Sequence, residues 1–402
     1  MVRRGDLTQA QNYFRAAIKL DSNYPPALTG LAYISYIYSS VSHTKTARAL
    51  LLQAYHASPD DPVLMLAHAN TLKGDEHLAA LEEVLPLLDP ESEEARGLRA
   101  PIALDRALHG RKVRRLASAY QPARIKLVHI TTGPDRLRGF GLRVQFNQLY
   151  TATLMIDTGA SGISIAPKAA QKAGLEPLSG QSEPAKGIGD QKAADEFSYL
   201  ASEIRIGEVI FTDHPISVFR SAKDSDADGL IGADVFQKFI VTLDFPDNQL
   251  RLEPYPAMPP DEPEDSESVP EGFHRVFRVG NHLMIPTSVN GSSSKLFLID
   301  SGTSSNLIDS EAAREFTGVH EDGRTEVRGL QGKVEHVSRA ERISLIFGGF
   351  RQDNADLVAI SLEAASDAEG IGITGVLGMP VLTQLRLTID YRGGAVRLEK
   401  VR

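Results

Sequence analysis

The chain has no cysteine and no tryptophan in 402 residues, and aromatics make up only 6%. Without thiols there is no disulfide, no thiolate nucleophile and no cysteine-based metal site, although this absence fixes no compartment. No apolar run approaches the roughly 18–20 residues that a membrane helix needs. Met1-Val2-Arg3-Arg4-Gly5-Asp6 is not followed by the apolar core of a signal peptide. Cations are in deficit, with a formal net charge of −9. That argues against a general nucleic-acid binder, which needs clustered Lys and Arg. The eleven histidines include no His-Glu-x-x-His, so a zinc hydrolase site has no support, and no metal or cofactor is expected. What remains is 42% hydrophobic and 24% charged, an ordinary globular composition in a chain long enough for two or three domains.

Residues 1–120 read as helical. Ala10, Phe14, Ala17 and Ile18 share one face by their spacing. Asp21-Ser22-Asn23-Tyr24-Pro25-Pro26, Ser58-Pro59-Asp60-Asp61-Pro62 and Leu88-Asp89-Pro90-Glu91-Ser92 are stop signals. Helix pairs punctuated in this way resemble degenerate tetratricopeptide repeats, whose period is about 34 residues. Ala27 and Gly30-Leu31-Ala32 fit that pattern, but no tryptophan is available, and a plain helical bundle stays open. Such repeats imply a groove for a protein partner. The opening residues read as the interior of a repeat, so a native N-terminus is expected upstream, and export to the periplasm stays open. Arg111-Lys112-Val113-Arg114-Arg115 reads as a solvated junction.

From Lys126 the pattern turns to period two and to short apolar runs bounded by Gly, Asn and Asp, the mark of strands. Expected strands include 142–146, 152–156, 202–206, 209–211, 216–219, 240–245 and 249–252. Residues 254–271, rich in proline and acid, read as an exposed linker. After it the strand pattern restarts at 282–289, turns at Asn290-Gly291 and runs on through 295–299.

The two β regions, 126–253 and 272–402, repeat one another. Leu154-Met155-Ile156-Asp157-Thr158-Gly159-Ala160-Ser161 returns as Phe297-Leu298-Ile299-Asp300-Ser301-Gly302-Thr303-Ser304. Ala169-Ala170 returns as Ala312-Ala313, and Gly229-Leu230-Ile231-Gly232 as Gly375-Val376-Leu377-Gly378. Asp244-Phe245 answers Asp390-Tyr391, and Arg251-Leu252-Glu253 answers Arg397-Leu398-Glu399. Register agreement over so long a stretch indicates two copies of one unit, each delivering an aspartate. Two other patterns fail on context. Asp224-Ser225-Asp226-Ala227-Asp228-Gly229 has calcium-loop spacing but Val235 where Glu is needed. Gly370-Ile371-Gly372-Ile373-Thr374-Gly375 lacks the strand and long helix of a dinucleotide site.

Asp-Thr-Gly-Ala-Ser after an apolar strand, a glycine-rich turn about thirty residues on, and a later apolar-apolar-Gly strand resemble the lobe of retropepsin-type aspartic proteases. Two such lobes in one chain resemble the pepsin-like arrangement, and the whole is similar to a bacterial-type aspartyl protease with N-terminal helical repeats. The fold class this implies is multidomain: all-α helical repeats, then an all-β bilobal acid-protease fold of two homologous retropepsin-like lobes. Asp157 and Asp300 are then the expected catalytic pair, since two close carboxylates share a proton and activate water between them. Thr158, Gly159, Ala160, Ser301, Gly302 and Thr303 would support the two loops. Gly187, Ile188, Gly189 and Asp190, with Gly329, Leu330, Gln331 and Gly332, match the flap position. The substrate would be a peptide or protein, and one chain would suffice for the site. Because Thr303 carries a hydroxyl where the first lobe has Ala160, Asp300 is expected to be the more readily ionised partner and Asp157 the proton holder. The alternative is an inactive peptide-binding scaffold using the same cleft.

Overall fold

The computed structural model describes residues 6–38, 40–132, 136–182, 196–219, 227–257, 269–329 and 332–401. Six helices come first among them: α1 (Leu7–Leu20), α2 (Pro25–Tyr38), α3 (Val41–Ala57), α4 (Pro62–Ala69), α5 (Asp75–Val84) and α6 (Glu93–Leu108). The Asp/Pro punctuation acts through caps. Asp61 accepts from the Val63 N–H with Pro62 at the first helical position, and Ser92 accepts from the Ala95 N–H. Each helix packs against its chain neighbour. No described helix is long and apolar enough to cross a membrane.

α2 is apolar on nearly every face, and a helix of that kind must be covered on more than one side. One side meets α1 and α3. The other enters the second β lobe, where Ile34 and Ile37 join Leu7 and Ala10 of α1 in a cluster with Met284, Leu296, Leu307 and Val376. The Tyr38 ring stands edge-on to Phe277 at 5.1 Å. At the other end, α6 packs against the first-lobe strand Glu176–Ser182. Arg111 of the basic junction pairs with Glu176 at 3.0 Å. Arg115–Leu116 is already a strand, paired with residues 211–212 of the first lobe.

Each lobe carries the same hairpin. Arg136–Phe146 turns through Asn147-Gln148, both at positive φ (48° and 60°), into Tyr150–Asp157. His282–Val289 turns through Asn290-Gly291 (49° and 78°) into Lys295–Ile299. Positive φ at both central residues gives a turn whose twist matches that of the strands. The runs 209–211 and 216–219, expected as separate strands, form one strand, Val209–Phe219. Asp213 takes a φ of 51°, which bends the strand, while Thr212 and His214 stay paired with Glu203 and Ala201.

The lobes meet in a third sheet of six strands. Phe239–Asp244 of the first pairs antiparallel with Leu385–Asp390 of the second. Thr242 stands opposite Thr388, their buried hydroxyls 3.1 Å apart. The fully buried Asp244 carboxylate is held by Arg251 of its own lobe at 2.8 Å and by Arg386 of the other at 2.7 Å. One apolar core runs under both lobes, with Ile156, Phe236, Phe239, Leu387 and Ile389 all buried in it. Full burial of each such side chain contributes about 1.5–3 kcal/mol. Of the acidic linker, residues 258–268 lie outside the described residues. Its start is pinned: the Arg392 guanidinium lies 4.4 Å over the Tyr255 ring.

Candidate active site

Two equivalent strand ends deliver the two aspartates. Tyr150–Asp157 runs parallel to Gly229–Gly232, with Asp157 level with Gly232. Lys295–Ile299 runs parallel to Gly375–Leu377, and the Asp300 N–H donates to the Leu377 carbonyl at 3.0 Å. The repeated apolar-apolar-Gly segments are therefore the strands that fix the height of both aspartates.

The loops after the aspartates are tied by a reciprocal bridge. Thr158 Oγ1 donates to the Ile299 carbonyl at 2.7 Å and accepts from the Ser301 N–H at 3.0 Å. Ser301 Oγ donates to the Ile156 carbonyl at 2.9 Å and accepts from the Thr158 N–H at 3.1 Å. Both hydroxyls are buried, so each lobe completes the backbone hydrogen bonding of the other.

The glycines then set the spacing. A Cβ on Gly302 would overlap the Asp157 carboxylate, and one on Gly159 would lie 2.8 Å from Asp300 Cγ. Only a residue without a side chain lets each carboxylate rest on the opposite loop. Each aspartate also accepts from the glycine two residues on, Gly159 N–H to Asp157 at 2.8 Å and Gly302 N–H to Asp300 at 2.7 Å. The symmetry ends at the next position. Thr303 Oγ1 donates to Asp300 Oδ2 at 2.6 Å, whereas Ala160 has no hydroxyl to offer Asp157. Burial raises the Asp157 carboxyl well above its ordinary range. The Asp300 charge and a hydrogen bond to Asp300 raise it further, against the pull of the Gly159 N–H and Arg138.

Two segments of the chain match an aspartyl protease family model, residues 142–235 and 285–381. Each match carries one of the two aspartates and one apolar-apolar-Gly strand. Together they cover just under half of the chain and support an aspartyl protease family for the two β lobes. No curated protein matches the chain.

The other expected positions divide. Gly187, Ile188, Gly189, Asp190, Leu330 and Gln331 lie outside the described residues. The strands flanking the first group, Glu176–Ser182 and Glu196–Ile206, pair antiparallel. Gly329 pairs with Gly332 in a short hairpin, and Thr325, Glu326 and Val327 just before it line the cleft. That cleft encloses about 2200 Å³ and holds both aspartates. Asp224 and Asp226 of the calcium-like run also lie outside the described residues. Asp228 accepts from the Thr153 N–H at 2.9 Å and the Tyr150 hydroxyl at 3.2 Å.

Four cleft residues are not apparent from the repeat. Arg138 donates to the Gly302 carbonyl and places its charge toward Asp157. Asp234 accepts from the Gly162 N–H at 2.9 Å and from Asn281 of the other lobe at 2.8 Å. Its equivalent by offset is Pro380, so duplication could not flag it. His282 and Glu369 form a pair at 2.8 Å beside the first loop. Their signal, a histidine opening a strand and an acid closing a short helix, is too common to single out.

Proposed function

We propose that the chain is an aspartic endopeptidase in which Asp157 and Asp300 activate a water molecule for attack on a peptide bond. The observation that carries the reading is the crossed packing, each carboxylate resting on the glycine of the opposite loop. It sets two carboxyl groups face to face, where they share one proton and titrate as a pair. Asp300, with two donors on its carboxylate, is the ionised member and takes a proton from the water. Asp157, raised by burial and by its neighbour, holds the shared proton and gives it to the carbonyl oxygen as the tetrahedral intermediate forms. The leaving amine is then protonated as the C–N bond breaks, and the pair returns to one shared proton.

The substrate in this reading is an extended peptide lying along the cleft. The six helices are read as a degenerate tetratricopeptide-like array, with Glu93 and Leu104 of α6 on the cleft wall. A protein partner on their outward faces would present substrate there, a role assigned by analogy of fold.

The test is cleavage of a peptide library by the wild type, Asp157→Asn and Asp300→Asn, with and without a statine-type inhibitor, across roughly pH 3–8. Wild-type cleavage lost in both variants and blocked by the inhibitor is the expected result. Activity surviving either substitution rejects the shared pair. A wild type that binds peptides and cleaves none supports the scaffold alternative.

A further inference from the structure

His282 is a polar group in the cleft that the proposed chemistry leaves unused. It opens the strand His282–Val289 of the second lobe. Its Nδ1 lies 2.8 Å from Glu369 Oε1, and the Gly159 backbone is near enough to favour the charged ring. The Gly159 N–H is committed to Asp157, so its carbonyl is the backbone group available to the ring. An imidazole between a carboxylate and a carbonyl faces an acceptor on each side. It meets both only when both nitrogens carry protons, that is, as the imidazolium.

Glu369 is itself anchored. It ends the helix Glu363–Glu369, and its carbonyl accepts from the Tyr33 hydroxyl of α2 at 2.9 Å. A continuous set of contacts thus runs from the helical region through Glu369 and His282 to the loop that carries Asp157.

We propose that His282, clamped by Glu369, is a positioning residue for the aspartate pair, holding the Gly159 loop to the second lobe. The proposal rests on the endopeptidase reading. Asp300 faces His282 from its own loop and Glu369 from its helix. On the paired strand, Arg278 turns away to lie 5.6 Å over the Tyr391 ring. Burial alone would lower the imidazole, but the Glu369 carboxylate, the Gly159 carbonyl and the Asp300 charge raise it on balance. The clamp is therefore complete in acid and is lost as pH rises through the raised value. The alkaline limb of activity accordingly contains His282.

The experiment follows the histidine by NMR in the isotope-labelled full chain. His282→Gln identifies its resonance, and Glu369→Gln and Tyr33→Phe perturb the clamp. In parallel, kcat and KM are measured against pH on a peptide that the wild type cleaves. In Glu369→Gln the His282 titration falls by about one unit, as expected for loss of an ion-pair partner. The alkaline limb of kcat moves down with it while KM stays constant. His282→Gln lowers kcat on the order of tenfold, the equivalent of one charge-assisted hydrogen bond, and Tyr33→Phe gives a smaller shift in the same direction. A titration unmoved by Glu369→Gln, or an unchanged kcat profile in His282→Gln, overturns the proposal. If His282→Gln fails to fold, Glu369→Gln alone decides. A wild type that cleaves nothing refutes the endopeptidase reading, while the titration still tests the clamp.

Discussion

Replacing Thr303 by alanine isolates the one hydrogen bond that makes the two halves of the site unequal. Its hydroxyl donates to Asp300 Oδ2 at 2.6 Å, and Ala160 offers Asp157 nothing comparable. A hydrogen bond to a charged group is worth about 1.5–3 kcal/mol. Thr303 is partly exposed to the cleft, so water recovers some of this. A net loss of ~1.5 kcal/mol corresponds to about one pH unit at 1.36 kcal/mol per unit. The bond favours the charged carboxylate, so without it the pair takes up its second proton at higher pH. In Thr303→Ala the acid limb of the pH–rate profile accordingly moves up by about one unit. The assay is initial-rate cleavage of a single peptide at constant ionic strength. Ala160→Thr is the converse control: a donor to Asp157 favours its charged form and draws the alkaline limb down. An acid limb within ~0.2 unit of the wild type, or one that moves down, refutes the assignment of the proton to Asp157.

Three further outcomes are expected. Gly302→Ala forces a methyl group into the Asp157 carboxylate and lowers kcat at least ~100-fold through misplacement of the pair, with unchanged far-UV circular dichroism. Thr158→Val strands the buried Ser301 N–H and Ile299 carbonyl and costs about 2–4 kcal/mol by denaturant unfolding; a cost under ~1 kcal/mol would show that water replaces the bridge. Burial holds the His214 imidazole down from its ordinary 6.5 to about 4. The unfolded chain therefore binds this proton first as pH falls, and stability is lost from pH 6.5 downward, levelling off below about 4. The loss totals about 3 kcal/mol; it is measured by unfolding at several pH values and is removed in His214→Gln.

Duplication is what made the aspartates legible. A strand that must bury one face keeps its period, and the two copies keep their spacing from Asp157 and Asp300 to within three residues, out to the parallel strands beneath them and to the six-stranded sheet. The half-buried strands on either side of Asn290-Gly291 announced their hairpin through that turn. The bend at Asp213 was hidden because a positive φ at aspartate leaves no compositional mark. Arg138 reaches across to Gly302 of the other lobe, and His282 and Glu369 pair within one lobe only, so no offset points to them. The docking of α2 left a signal in its nearly unbroken apolar surface, but such a surface says only that something covers the helix, not that a β lobe does.

That docking also bears on how the protein can be controlled. Leu7, Ala10, Ile34 and Ile37 lie in one apolar cluster with Met284, Leu296 and Val376, and Tyr33 reaches the backbone of Glu369. An N-terminal segment with these attachments cannot serve as a removable propeptide. Cutting it away would strip the second lobe of part of its apolar cover and remove the Tyr33 contact to Glu369. Helices and second lobe share one buried apolar cluster, so separating them at the join between helical and β sequence would expose it to water.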